Sequence, residues 1–171
     1  MRLTIRPAVL ADAATLTELG ARTFRDTFAA DNSAEDMEAF LAAHWRLELQ
    51  IAELEDPRNL YLLAEVSRVP AGFALLCDGA REQGVQAERP LNLSRLYVDR
   101  PFLGAKVGAA LMHRCLEEAR ARGHDVLWLG VWEHNTRALA FYARWGFTEV
   151  GEMIFPVGSD PQRDLVLALK L

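Results

Sequence analysis

Apolar and polar positions recur along this chain with two clear periods. Leu3 to Arg6 reads as a short strand, closed by Pro7. From Asp12 to Phe28, Ala13, Leu16, Leu19 and Thr23 recur at helical spacing. Ser33-Ala-Glu-Asp36 is a helix-start signature, because a serine oxygen there can accept an orphan backbone N–H. The helix it opens carries Met37, Phe40, Leu41 and His44 on one side and is expected to end before Pro57. Leu60–Val66 and Gly72–Cys77 predict two strands joined by a turn around Pro70, an antiparallel hairpin. Asp78 to Pro90 is polar and Gly-containing, hence a loop, and Leu91–Val98 is a strand.

A helix over Gly104–Arg122 buries Leu111, Met112, Cys115, Leu116 and Ala119, with Gly123 as its C-terminal cap. Asp125–Trp132 is apolar throughout, like a buried central strand. A short helix from Asn135 ends at Gly146. Strands at Phe147–Phe155 and Leu165–Leu171 follow, joined by a loop from Pro156 to Asp164. The order β-α-α-β-β-β-α-β-α-β-β predicts an α/β chain of the mixed α+β kind, a sheet with helices on its faces. Three successive strands before the crossover helix exclude a doubly wound Rossmann fold.

Composition adds bounds. A length of 171 residues fits one domain, 1–171, with a real core. A net charge of −5 argues against nucleic acid as a partner and is compatible with a cationic substrate. Cys77 and Cys115 sit in apolar runs and are expected as free thiols. His44, His113, His124 and His134 lack metal-ligand spacing, so no metal is expected. No apolar run approaches about 20 residues, so no membrane partner is expected. MRLTIRPAVL lacks the features of a signal peptide, which makes the cytoplasm the expected location.

Two segments could carry chemistry. Leu96–Leu111, LYVDRPFLGAKVGAAL, runs from a strand through a turn with Gly104 into a helix with Gly108. Such a helix start presents unpaired N–H groups and a positive dipole end to a phosphate. A tight turn beside a closely packed helix would use the same glycines, and neither a P-loop nor GxGxxG is present. In Asn135–Phe147, NTRALAFYARWGF, Ala138, Phe141, Tyr142 and Trp145 form an apolar stripe. Tyr142 is thus either a core aromatic or a proton donor, and Asn135 either a helix cap or a ligand contact.

Together these segments resemble the GCN5-related N-acetyltransferases, the GNAT superfamily, over about Leu91 to Phe147. Asn-x-x-Ala-x-x-Phe-Tyr-x-x-x-Gly-Phe matches well. The phosphate pattern Q/R-x-x-G-x-G/A matches only at Gly108, since Leu103 replaces Gln/Arg and Lys106 the first Gly. The resemblance implies a three-layer fold with a mostly antiparallel sheet of about seven strands and about four helices. It also implies acetyl-CoA as co-substrate. Its pyrophosphate would be held by amides along Leu103, Gly104, Ala105, Lys106, Val107, Gly108 and Ala109, its pantetheine by Leu96, Tyr97 and Val98, and Asn135 would contact the pantetheine or phosphate arm. Tyr142 would be the general acid and the Val98 amide the oxyanion donor. Where relatives place a glutamate this chain has Asn92, which can orient water but takes no proton. Either water and backbone carbonyls would then relay the proton, or Glu65, Tyr97 or Glu133 would substitute as base. Freeing an amine of pKa ~10.4 at pH 7 takes about 4–5 kcal/mol.

The ending resembles the PaiA-like branch through Phe155, Gly158, Asp160, Gln162 and Asp164, and Thr23–Phe28 adds to that likeness. That branch implies polyamine acceptors such as spermidine. Phe24, Phe28, Trp132 and Asp160 are candidate acceptor contacts, although core or turn roles suit each. The expected function is direct acetyl transfer to a small amine in a ternary complex. The alternatives are a protein or peptide amine acceptor, a non-catalytic acyl-CoA-binding module, and a structural or regulatory partner domain. The resemblance also implies a homodimer.

Overall fold

The computed structural model describes residues 1–171. The chain runs β1 Leu3–Pro7, α1 Ala13–Phe28, α2 Ala34–His44, α3 Leu47–Glu55, β2 Asn59–Val66, β3 Val69–Asp78 and β4 Pro90–Val98. It continues α4 Val107–Ala121, β5 Val126–Trp132, α5 Thr136–Arg144, β6 Thr148–Val157 and β7 Asp160–Lys170. The strands form one seven-stranded sheet in the order β1-β2-β3-β4-β5-β7-β6. Every pair is antiparallel except β4–β5, the pair linked through the crossover helix α4.

Two apolar cores sandwich the sheet. One packs Leu111, Met112 and Cys115 of α4 against Leu62, Ala74, Leu91 and Leu127. The other packs Leu16, Leu19 and Phe24 of α1 with Phe40 and Trp45 against Leu63, Phe73 and Leu75. Strand alternation accounts for the split: Leu62 and Leu63, or Ala74 and Leu75, point to opposite faces. Cys77 and Cys115 are free thiols, as expected. No helix is long and apolar enough to cross a membrane.

Four expectations need correction. The helix predicted from Ser33 to Pro57 is two helices, giving five in all. The break falls at Trp45, whose φ of −113° and ψ of 67° leave the helix. Its ring fills a slot over Gly20 of α1, and burying an indole outweighs continuing the helix. The β2–β3 turn is Ser67–Arg68, both with positive φ, and not Pro70. Pro70 instead pairs with Glu65 beyond the end of β4, where no neighbour on that side asks for its missing N–H. The helix expected from Gly104 starts at Val107, because Gly104 and Lys106 have φ of +85° and +63°. The loop expected over Pro156–Asp164 is a tight hairpin turn at Gly158–Ser159. Asp36 of α2 anchors it, accepting from the Ser159 N–H and Oγ at 2.9 Å each.

Gly20 permits the Trp45 placement. A Cβ there would lie 1.9 Å from the Trp45 ring. Gly20→Ala is therefore expected to expel the indole and cost about 1–3 kcal/mol. Thermal unfolding, read beside Trp fluorescence, checks this; an unchanged Tm with an unshifted emission maximum would contradict it.

Candidate active site

β4 and β5 stay paired only from Pro90↔Val126 to Asn92↔Trp128, then diverge. A bulge in the β3–β4 register falls at Ser94 and bends β4 away. The Asp99 N–H donates to the Ala71 carbonyl at 2.8 Å, which sets the alternation of the ladder. Arg95 and Tyr97 therefore exchange with β3, while Leu96 and Val98 turn their N–H and C=O groups into the open fork. Asn92 sits at the crotch and donates from Nδ2 to the Trp128 carbonyl at 3.2 Å. It lines neither of the cavities described next.

A groove of about 790 Å³ leads from the fork across the start of α4. Lys106 has no side-chain cap, and the first bonded amide of α4 is Ala110, donating to the Lys106 carbonyl. The amides of Val107, Gly108 and Ala109 thus have no acceptor in the chain. The left-handed Gly104 and Lys106 turn the chain sharply before them. A lysine held there carries backbone strain of about 1–2 kcal/mol. Leu96, Tyr97, Val98, Leu103, Gly104, Lys106, Val107, Gly108, Ala109, Asn135 and Tyr142 all line the groove. Ala105 does not; it packs against the core. Asn135 caps α5, its Oδ1 accepting from the Ala138 N–H at 3.2 Å.

A smaller cavity of about 220 Å³ lies on the other side of the fork. It shares Leu96, Tyr97, Asn135, Ala138 and Tyr142 with the groove, so the two meet at Tyr142. Tyr142 is 8% exposed. Burial raises its phenol well above the ordinary range and pushes that of Tyr97 up to about 12. Both stay protonated at neutral pH. Phe24, Phe28 and Trp132 line this cavity with Phe40 and Phe155. Phe24 stacks on Phe40 at 4.2 Å, and Phe28 lies 5.8 Å from Trp132. Asp160 is elsewhere, accepting from Gln162 Nε2 at 3.0 Å. Two suggested bases are also committed elsewhere. Glu65 accepts from Arg6 at 3.2 Å and Glu133 from Arg163 at 2.7 Å, and neither lines the groove or the smaller cavity.

The model of the Acetyltransferase (GNAT) family matches residues 21–147. The chain belongs to this family. Among its GNAT relatives, the uncharacterized N-acetyltransferase in the pepI 3' region of Lactobacillus delbrueckii subsp. lactis is 36% identical over 146 residues. That match spans 85% of this chain and 84% of the relative. An uncharacterized N-acetyltransferase of Mycobacterium bovis is 32% identical over 162 residues, 95% of this chain and 99% of its own. The fold matches the PaiA N-acetyltransferase of Thermoplasma acidophilum, solved in complex with coenzyme A, at a TM-score of 0.81. Identity is 22% and each chain is covered completely. It also matches yncA, a putative acetyltransferase of Salmonella typhimurium solved with acetyl-CoA, at 0.70 with 25% identity, over 100% and 95% of the two chains.

Several residues that line the groove and the cavity went unnoticed in the sequence. Arg100, Arg137 and Arg144 join Lys106 along the groove, and none of the four is salt-bridged to a carboxylate. Arg137 and Arg144 stand seven apart on α5, a helical repeat visible in the sequence. His44, Trp45 and Arg95 line the small cavity together with Asp164, which the sequence offers only as part of its ending motif. Burial and the nearby Arg95 hold His44 below its ordinary pKa. Arg95 lies 4.7 Å over the Trp45 ring and is bound to Glu53 at 2.7 Å and 3.0 Å.

Proposed function

We propose that this GNAT protein transfers the acetyl group of acetyl-CoA to the primary amine of a small cationic acceptor, with both substrates bound at once. The observation that carries this reading is the meeting of a cation-lined groove and an aromatic cavity at Tyr142. Four basic side chains and three free helix amides suit a nucleotide pyrophosphate and a further phosphate. Bound acetyl-CoA supplies the activated acyl carbon and a thiolate leaving group.

Leu96 and Val98 would hold the pantetheine amides by their fork-facing backbone groups, as a strand added at an open edge would. The Val98 N–H would donate to the carbonyl oxygen as it gains charge. Tyr142 would give its proton to the sulfur as that atom becomes a thiolate. We favour a polyamine such as spermidine as acceptor, because the cavity is narrow and aromatic-walled and suits an aliphatic cation.

A thiol-release screen with acetyl-CoA over spermidine, simple alkylamines and amino-terminal peptides tests this. CoA release with spermidine and alkylamines is expected. Release with peptides alone would overturn the small-amine reading, and binding without any release would replace catalysis by a binding module. Lys106→Gly separates strain from charge at the groove. It is expected to raise stability by about 1 kcal/mol and to raise KM for acetyl-CoA about 2–5-fold. Chemical denaturation and steady-state kinetics check the pair; an unchanged KM would remove Lys106 from the phosphate contacts.

A further inference from the structure

Asp164 is a buried carboxylate that nothing in the chain answers. It is 7% exposed, its Oδ1 is sealed, and no hydrogen bond reaches it. Other buried or half-buried carboxylates have arginines: Glu53 takes Arg95, Glu65 takes Arg6 and Asp99 takes Arg22. Arg95, the guanidinium lining the same cavity, is held by Glu53 and Tyr61 instead. Asp164 pairs across the sheet with Trp132 on one side and Met153 on the other. Gly130 leaves it room, since a Cβ there would lie 3.4 Å from Oδ2. A charge buried without a partner destabilises a fold, so its place in a cavity calls for a cationic ligand.

Resting on the acetyltransferase reading above, we propose that Asp164 seats the acceptor's ammonium in the aromatic cavity and takes its first proton. Trp132, Phe28 and Phe155 flank the seat and shelter the cation. Burial pushes the Asp164 carboxyl up to about 6, which brings it closer to an alkylammonium near ~10.4 while leaving it ionised at neutral pH. The acceptor enters as R–NH3+ and passes one proton to Asp164. The freed lone pair forms the N–C bond as the C–S bond breaks. Tyr142 protonates the sulfur and regains a proton from the acylated nitrogen. Asp164 releases its proton to solvent, so acetyl-CoA and R–NH3+ give the amide, CoA and one H+.

The charged or titratable groups facing Asp164 across the cavity are Arg95 and Tyr97 of β4, Tyr142 of α5 and His44 of α2. Its strand neighbours Trp132 and Met153 carry no titratable group. Asp164→Asn keeps the shape and removes the charge. In this variant kcat/KM for spermidine is expected to fall about 100-fold or more, with the Kd for acetyl-CoA within about 2-fold. The rise of wild-type kcat/KM with pH near 6 should vanish. Tm should hold or increase, the reverse of what a structural carboxylate would give. In calorimetry on the CoA-saturated protein, n-butylamine should bind the wild type at least 10-fold tighter than the variant. Activity within 3-fold of wild type, a pH limb that persists in the variant, a lowered Tm, or no butylamine binding to the wild type would each overturn the proposal. An inactive wild type that still binds butylamine through Asp164 would instead overturn the acetyltransferase reading and leave the cation seat standing.

Discussion

Tyr142→Phe is expected to lower kcat about 100-fold or more while the Kd for acetyl-CoA moves less than 3-fold. The substitution removes one oxygen and leaves the ring. That ring packs against Phe141 and Phe147 with centroids 5.3 Å and 5.6 Å away. The hydroxyl donates to no acceptor in the chain, so Tm should not change. What is lost is a proton at the junction of the two cavities. A leaving thiolate has a pKa near ~8.5, and burial holds the phenol protonated far beyond neutral pH. The phenol is thus the weaker acid: it donates a hydrogen bond to the sulfur as charge develops there, and the transfer is completed as the acylated nitrogen hands its proton back. Single-turnover kinetics isolates that step from product release. A chemical step slowed less than 3-fold would remove Tyr142 as the acid.

The second large effect concerns the groove. Arg137→Glu with Arg144→Glu should weaken acetyl-CoA binding on the order of 100-fold at low salt. Both side chains are exposed and unpaired, and each reversal changes the local charge by two. At solvent-screened distances of several ångströms such charges interact by roughly 0.5–1 kcal/mol each. Because exposed charges are screened, the gap between variant and wild type should narrow markedly in ~0.5 M salt. Titration calorimetry at two salt concentrations measures both quantities. Equal affinity in the two proteins would place the phosphates elsewhere.

The apolar periods disclosed the sheet strands and the helices α4 and α5 because those elements bury regular stripes. They missed what depends on contacts between distant segments. Trp45 breaks its helix only because Gly20, on another helix, leaves a slot for the indole. Asp164 looks like part of a polar loop in the sequence, since Gly158, Ser159 and Asp160 surround it in kind. In the fold the strands run on to a turn at Gly158–Ser159 that Asp36 anchors, and Asp164 lies inside β7 opposite Trp132, lining the aromatic cavity. Asp160, chosen from the same stretch, is instead engaged with Gln162. Lys106 departs from the family's glycine, yet its left-handed backbone explains why glycine suits that position. The fork-facing backbone of Leu96 and Val98 was legible through family resemblance; the bulge at Ser94 that opens the fork was not.

The titration of the wild-type protein with acetyl-CoA in a calorimeter bears most directly on the whole reading. One equivalent bound with micromolar affinity is the expected result. No heat of binding at 1 mM acetyl-CoA, about the weakest affinity compatible with a working co-substrate site, would contradict it.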